Sequence, residues 1–258
     1  MRKTLLFVFA VGTLGIPVGA QAPAQTPRAL APIDLTGNWV SIVTEDWRFR
    51  MVTPPKGDYA SVPLNAAARA VADKWDPAKD EAEGNACKSY GAANIMRVPG
   101  RLHISWQDDN TLKIETDAGQ QTRLLHFGGM PGGEPSWQGY SAAEWEFAGG
   151  RNPAAGGGRG GGGGRGGAPA AAPRGGSLKV ETTRLKEGYL RKNGVPVSDN
   201  AVVTEYFDRH DETDGTNWFT VTTVVHDPKY LAQDFITSTH FKKEADASKW
   251  FPSPCKAK

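Results

Sequence analysis

Residues 101–127 read RLHISWQDDNTLKIETDAGQQTRLLHF, and their pairing decides the fold. Take Asp108-Asp109-Asn110 as a three-residue loop. Leu102 then faces Thr116, Ile104 faces Ile114 and Trp106 faces Leu112, so one side of the hairpin is apolar. The other side carries Arg101 with Asp117, His103 with Glu115 and Ser105 with Lys113. Carried across the Ala118-Gly119 turn, the same scheme sets Ile114 against Leu124 and Leu112 against His126, with Arg123 beside Glu115. A slip of one residue destroys both patterns, so this stretch predicts an antiparallel meander with one buried face.

Period-two alternation extends outward from it. Ten candidate strands result: 38–43, 46–52, 101–107, 111–117, 121–128, 140–147, 177–185, 201–209, 217–226 and 234–243. Asp109-Asn110, Ala118-Gly119, Asn193-Gly194 and Asp214-Gly215 supply turns between several of them. The interruption is VPLNAAARAVADKW, residues 62–75, where Asn65 can cap a helix. A short second helix follows Pro77. Residues 53–93 are therefore a helical excursion between strands. Sequential hairpins that close on themselves leave no exposed sheet edge, so the expected fold is mainly β, an antiparallel up-and-down barrel of about ten strands.

Leu35-Thr36-Gly37-Asn38-Trp39 resembles the G-x-W opening of lipocalin-like (calycin) barrels. Residues 217–243, NWFTVTTVVHDPKYLAQDFITSTHFKK, are similar in style to the final hairpin of exported lipocalin-like bacterial proteins. The resemblance implies that Trp39 closes the barrel floor under a basic side chain from a late strand, with Gly37 permitting the sharp entry. No arginine is placed for that role, and Lys242 and Lys243 are the available substitutes. The helical excursion and the glycine-rich insert depart from the family pattern.

The compartment is read from the ends. Residues 1–22 carry Arg2 and Lys3, an apolar run from Leu5 to Ile16, and Ala20-Gln21-Ala22, which reads as a secretory signal peptide; the run is too short to span a membrane. Residues 23–33 are expected to be a flexible lead-in to one domain, 34–258. Removing Arg2 and Lys3 takes the formal charge from +2 to zero, so bulk charge does not favour a nucleic-acid partner. In an exported chain the pair Cys87 and Cys255 predicts a disulfide, worth roughly 5 kcal/mol for so long a loop. Residues 149–177, GGRNPAAGGGRGGGGGRGGAPAAAPRGGS, have nothing to bury and are expected to be a disordered loop. Their arginines offer weak contact with anionic envelope surfaces.

The chemistry is less legible. On the face assignment above, Trp47, Trp106, His126, Trp145 and Tyr206 line the lumen, and Arg50 is the polar handle. His126 or the His103–Glu115 pair could serve acid–base work if either lay in a dry cavity. Residues 208–215, DRHDETDG, lack the spacing of a calcium loop, and no zinc, haem, dinucleotide or phosphate-loop pattern is present, so no metal or cofactor is called for. The expectation is a barrel that binds a small, partly apolar molecule in its lumen. The alternatives are a barrel enzyme of lyase, isomerase or hydrolase type, and a cell-envelope interaction module.

Overall fold

A computed structural model describes residues 25–150 and 175–258. The expected signal peptide and most of the insert lie outside the described residues. Nine strands close into a barrel: β1 (Gly37–Ile42), β2 (Arg101–Trp106), β3 (Thr111–Thr116), β4 (Thr122–Phe127), β5 (Tyr140–Phe147), β6 (Gly176–Thr183), β9 (Val202–Asp211), β10 (Asn217–His226) and β11 (Phe235–Glu244). A separate hairpin, β7 (Gly188–Arg191) and β8 (Val195–Val197), falls between β6 and β9. The order around the barrel is β1-β11-β10-β9-β6-β5-β4-β3-β2. Every neighbouring pair is antiparallel except β4 and β5, which run parallel, so the chain is not a pure up-and-down meander.

The β2–β3 register is the expected one, with Leu102 opposite Thr116 and Trp106 opposite Leu112. The β3–β4 register is displaced by one residue: Ile114 meets Arg123 and Leu112 meets Leu125. The cause is the turn. Residues 117–120 form a four-residue connection in which Gly119 and Gln120 both take positive φ, 78° and 51°. The Gly119 amide donates to Ser253 O, and a Cβ on Gly119 would sit 2.3 Å from the Tyr90 ring. The C-terminal tail and Tyr90 thus hold the wider loop. Because side chains alternate, this one step exchanges the faces of β4. Arg123, Leu125 and Phe127 point inward, and His126 points out.

Trp39 is fully buried. Its Nε1 donates to Leu35 O at 2.9 Å, and its ring meets Phe219 edge-on at 4.7 Å. Phe219 in turn stacks on Phe241 at 4.7 Å. Enclosing an indole contributes about 4–6 kcal/mol of transfer free energy. With Ile104, Leu112, Leu125, Leu178 and Phe207 also enclosed, the interior around Trp39 is occupied by side chains. One ion pair crosses it: Arg123 on β4 donates through both terminal nitrogens to Glu205 on β9, at 2.6 and 3.1 Å.

The opposite end of the barrel is capped by the chain between β1 and β2. It contains α2 (Trp47–Arg50), α3 (Ala66–Ala72), α4 (Pro77–Ala82) and two 3-10 turns, 86–90 and 95–97. Asn65 caps α3, accepting from the Ala68 amide at 2.9 Å as its sequence position predicts. Ile95 and Met96 descend into the barrel core, whereas Val62, Leu64, Ala68 and Leu190 form a second apolar cluster with Val203 and Phe235 at the barrel end. The predicted Cys87–Cys255 disulfide, 168 residues apart, fastens the tail to this cap.

The expected strand 46–52 does not exist; those residues make α2. Residues 23–33 are also more structured than expected where they are described. Residues 27–30 form the helical turn α1 (Pro27–Leu30), capped by Thr26 with Leu30 buried. It lies at the barrel end away from the cap, where Pro27 O accepts from Trp145 Nε1 at 2.8 Å.

Candidate functional site

The cap encloses a cationic cleft against the barrel end. Its floor and walls include Phe49, Arg50, Arg97, Arg191 and Lys192, with Val52 at the rim. The cavity volume is about 30 Å³, room for one or two water-sized groups.

Three arginines converge there because the local chain forces them in. Asp46 turns through positive φ (49°) and sends its carboxylate away from the α2 amides to Arg97 Nη2, 2.9 Å. That sharp entry directs Arg50 inward. Its Nε donates to Arg97 O at 2.9 Å, Nη2 to Ser41 Oγ at 3.1 Å, and Nη1 pairs with Glu45. Arg97 is the last residue of the second 3-10 turn and lies over the Phe235 ring. Arg191, at the end of β7, lies 4.2 Å over the Phe49 ring and donates through Nη1 to Ala60 O at 2.9 Å. Lys192 donates to the Tyr90 hydroxyl at 2.8 Å.

The carboxylates do not balance this set. Glu45 pairs with Arg50, Asp46 with Arg97, and Asp58 with the neighbouring Arg48. Among the described residues, Arg191 and Lys192 have no carboxylate within 4 Å. Burial pushes the Arg191 guanidinium down to about 10, and the nearby Arg97 cation adds to the effect. Arg97 and Arg191 are only 6 % and 4 % exposed. Yet among the described residues Arg97 Nη1 and Arg191 Nη2 have no hydrogen-bond partner. A buried donor left unmade costs about 1–3 kcal/mol, more when charged. Both of these donors belong to side chains that line the one cleft.

The residues singled out in the sequence scatter. Arg50 is in this cleft, though as a support whose three nitrogens each have a partner. Trp47 is 66 % exposed on α2 and lines no lumen. Trp106 and Trp145 do point inward, but at the far end, where they cluster with Phe127 at centroid distances of 5.1–6.4 Å. The β4 register puts His126 on the outer wall, stacked on Tyr140 at 5.0 Å. Tyr206 faces outward beside Lys179 and Thr222. His103 and Glu115 are outward too; His103 Nδ1 meets Asn38 Oδ1 at 2.9 Å, and Glu115 meets Lys113 Nζ at 2.9 Å. Neither histidine sits in an enclosed polar pocket suited to acid–base work.

Sequence reading missed Arg97, Arg191 and Lys192. The only local signal is the Arg191-Lys192 pair beside a turn, which by pattern alone reads as solvated. No protein family, characterised protein or solved structure matches the chain. Among the described residues, no helix is long and apolar enough to cross a membrane.

Proposed function

We propose that this chain is an exported, lipocalin-like barrel protein that binds a small, partly apolar molecule by its anionic group. The anion sits in the cap cleft, facing Arg97 Nη1 and Arg191 Nη2. The barrel acts as the rigid frame that holds β7 and the 3-10 turn in place. One observation carries this reading: two almost fully buried guanidinium groups line the same cleft, and each has a nitrogen with no partner among the described residues. Arg50, fixed by Ser41, Glu45 and Arg97 O, positions its neighbours rather than the ligand. Export is supported by the amino-terminal leader and by the disulfide.

Calorimetric titration of the purified protein with inorganic phosphate and with octanoate, in chloride buffer, tests the site. Binding is expected for at least one of them, and Arg191→Gln should abolish it without unfolding the barrel. No heat from either ligand, or equal binding by Arg191→Gln, overturns the assignment.

A second reading rests on the aromatic trio Trp106, Phe127 and Trp145, which is only partly enclosed beneath α1. An apolar ligand would enter there by displacing Pro27 from Trp145. Native mass spectrometry of protein purified from its own envelope distinguishes the two by the chemistry of what co-purifies. A neutral apolar molecule favours the trio, and an acid or phosphate ester favours the cleft.

A further inference from the structure

The cleft is too small for a whole ligand. A cavity of about 30 Å³ takes one or two oxygens of an anionic group and little else. Whatever carries that group must continue outward past Val52. What lies outside is unusual. Of the seven large apolar side chains exposed among the described residues, Trp47, Met51 and Val52 fall within six positions of one another, at 66, 59 and 69 % exposure. Trp47 and Met51 are one helical turn apart, and the Met51 amide donates to Trp47 O at 2.9 Å, so both project from the same side of α2.

Cations lie along the chain on either side of this apolar tip. Arg48 is on α2 itself, its side chain 62 % exposed and paired with Asp58. A second, open depression shares Thr53 with the cleft and contains Lys56, Lys74 and Lys258 against one acid, Asp76. A protruding tryptophan and methionine, with a lysine-lined depression adjoining a cleft lined by arginines, matches a bilayer surface. Indole settles at the level of the headgroups, long cationic side chains reach up to phosphates, and an anionic leaflet attracts them over a Debye length.

Resting on the cleft reading above, we infer that the bound anion is a lipid phosphate and that the protein takes it from an anionic bilayer, docking through Trp47, Met51 and Val52. The phosphate oxygens meet Arg97 Nη1 and Arg191 Nη2. The glycerol and acyl chains run out over Val52, and Trp47 and Met51 enter the headgroup layer.

The test uses the full mature chain. Co-sedimentation is measured with vesicles of phosphatidylcholine alone and of phosphatidylcholine doped with phosphatidic acid. In parallel, binding of soluble dihexanoyl phosphatidic acid is measured by calorimetry. The wild type should prefer the doped vesicles by at least about tenfold. The double variant Trp47→Ser, Met51→Ser should lose about tenfold or more on vesicles, from the apolar area it no longer buries, and keep its affinity for the soluble lipid. Arg191→Gln should lose both; Lys192→Gln, at a less buried cleft residue, should weaken both and serves if Arg191→Gln does not fold. If the soluble lipid binds and the vesicles do not, docking fails and the cleft stands. Should vesicles bind equally well to the Arg191 and Lys192 variants, the contact is bulk charge and the inference fails. If an acidic peptide competes better than soluble lipid phosphate, the occupant is a protein and the inference fails. When neither lipid form binds, both proposals fall together.

Discussion

Lys243 Nζ lies 5.3 Å from the centre of the Trp39 ring. Gly37 makes that approach possible: its φ is +114°, and a Cβ there would come within 3.1 Å of Lys243 Cε. Glycine, tryptophan and lysine therefore interlock at the barrel floor. Trp39→Ala should destabilise the protein by about 3–5 kcal/mol, the range for deleting a buried aromatic. Lys243→Ala should cost about 1 kcal/mol, the scale of a cation–π contact near the surface. Urea denaturation followed by far-ultraviolet circular dichroism separates the two. Equal effects would mean that the lysine, not the indole, closes the floor.

Arg123 and Glu205 are both essentially inaccessible to solvent, and Ser141 and Thr182 contact the same guanidinium at 3.4 and 3.3 Å. Removing either charge strands the other. Arg123→Met or Glu205→Leu alone should each cost about 3–5 kcal/mol, and the double substitution should recover much of that loss. A double-mutant cycle in urea checks it; strictly additive single effects would show that the pair is not coupled.

Anion binding should depend on the protonation of Arg191. Burial and Arg97 lower its pKa from the ordinary guanidinium range to about 10. Below that value the cation is present and penalised in the fold. As pH rises through about 10 the folded state releases its proton while the unfolded chain still holds one. This group's contribution to ligand-free stability therefore increases as pH rises above about 10, and the attraction for an anion disappears over the same step. Phosphate affinity should be flat between about pH 8 and 9 and fall above about 10. Titrations across that range test the sign. Arg97→Gln should move the fall to higher pH, because one repelling charge is gone.

Deleting residues 151–174 should leave the barrel intact. Phe147 pairs with Gly176, and the Ala148 amide already donates to Gly175 O at 3.2 Å. The deletion leaves Ala148-Gly149-Gly150-Gly175 as a four-residue loop whose three glycines already take positive φ. Shortening the connection should add about 1–2 kcal/mol through closure entropy, a rise of a few degrees in Tm for a chain of this size. A marked drop in the thermal melt would show that the insert packs on the domain.

The barrel was legible because its signal is local. All nine barrel strands correspond to alternating stretches, and the 101–116 register could be worked out from Asp108-Asp109-Asn110. Residues 46–52 misled because Trp47, Phe49 and Met51 alternate with charges as a strand does. Their real division is helical: Trp47 and Met51 share one exposed side, while Arg50 turns in. The β4 face was lost through the turn at Gly119 and Gln120, where Gly119 is held by Tyr90 and Ser253, contacts distant in sequence. The cleft was illegible for the same reason. Arg50, Arg97 and Arg191 become neighbours only once the cap folds, and which guanidinium nitrogen stays unmade is a property of tertiary contacts.

The parallel contact between β4 and β5 has a consequence that follows from parity. Neighbours of alternating direction can return to their start only around an even ring, and this ring has nine members. One like-directed pair is unavoidable, so the chain must travel back along the height of the wall between Phe127 and Tyr140. That return path is where the wall is bolted to its lid. Trp137 O accepts from the Ala92 amide at 2.9 Å, Gln138 Nε2 donates to Tyr90 O at 2.7 Å, and Gly91 has no space for a side chain against Trp137. An odd tally of staves thus supplies the strut that an even one would lack.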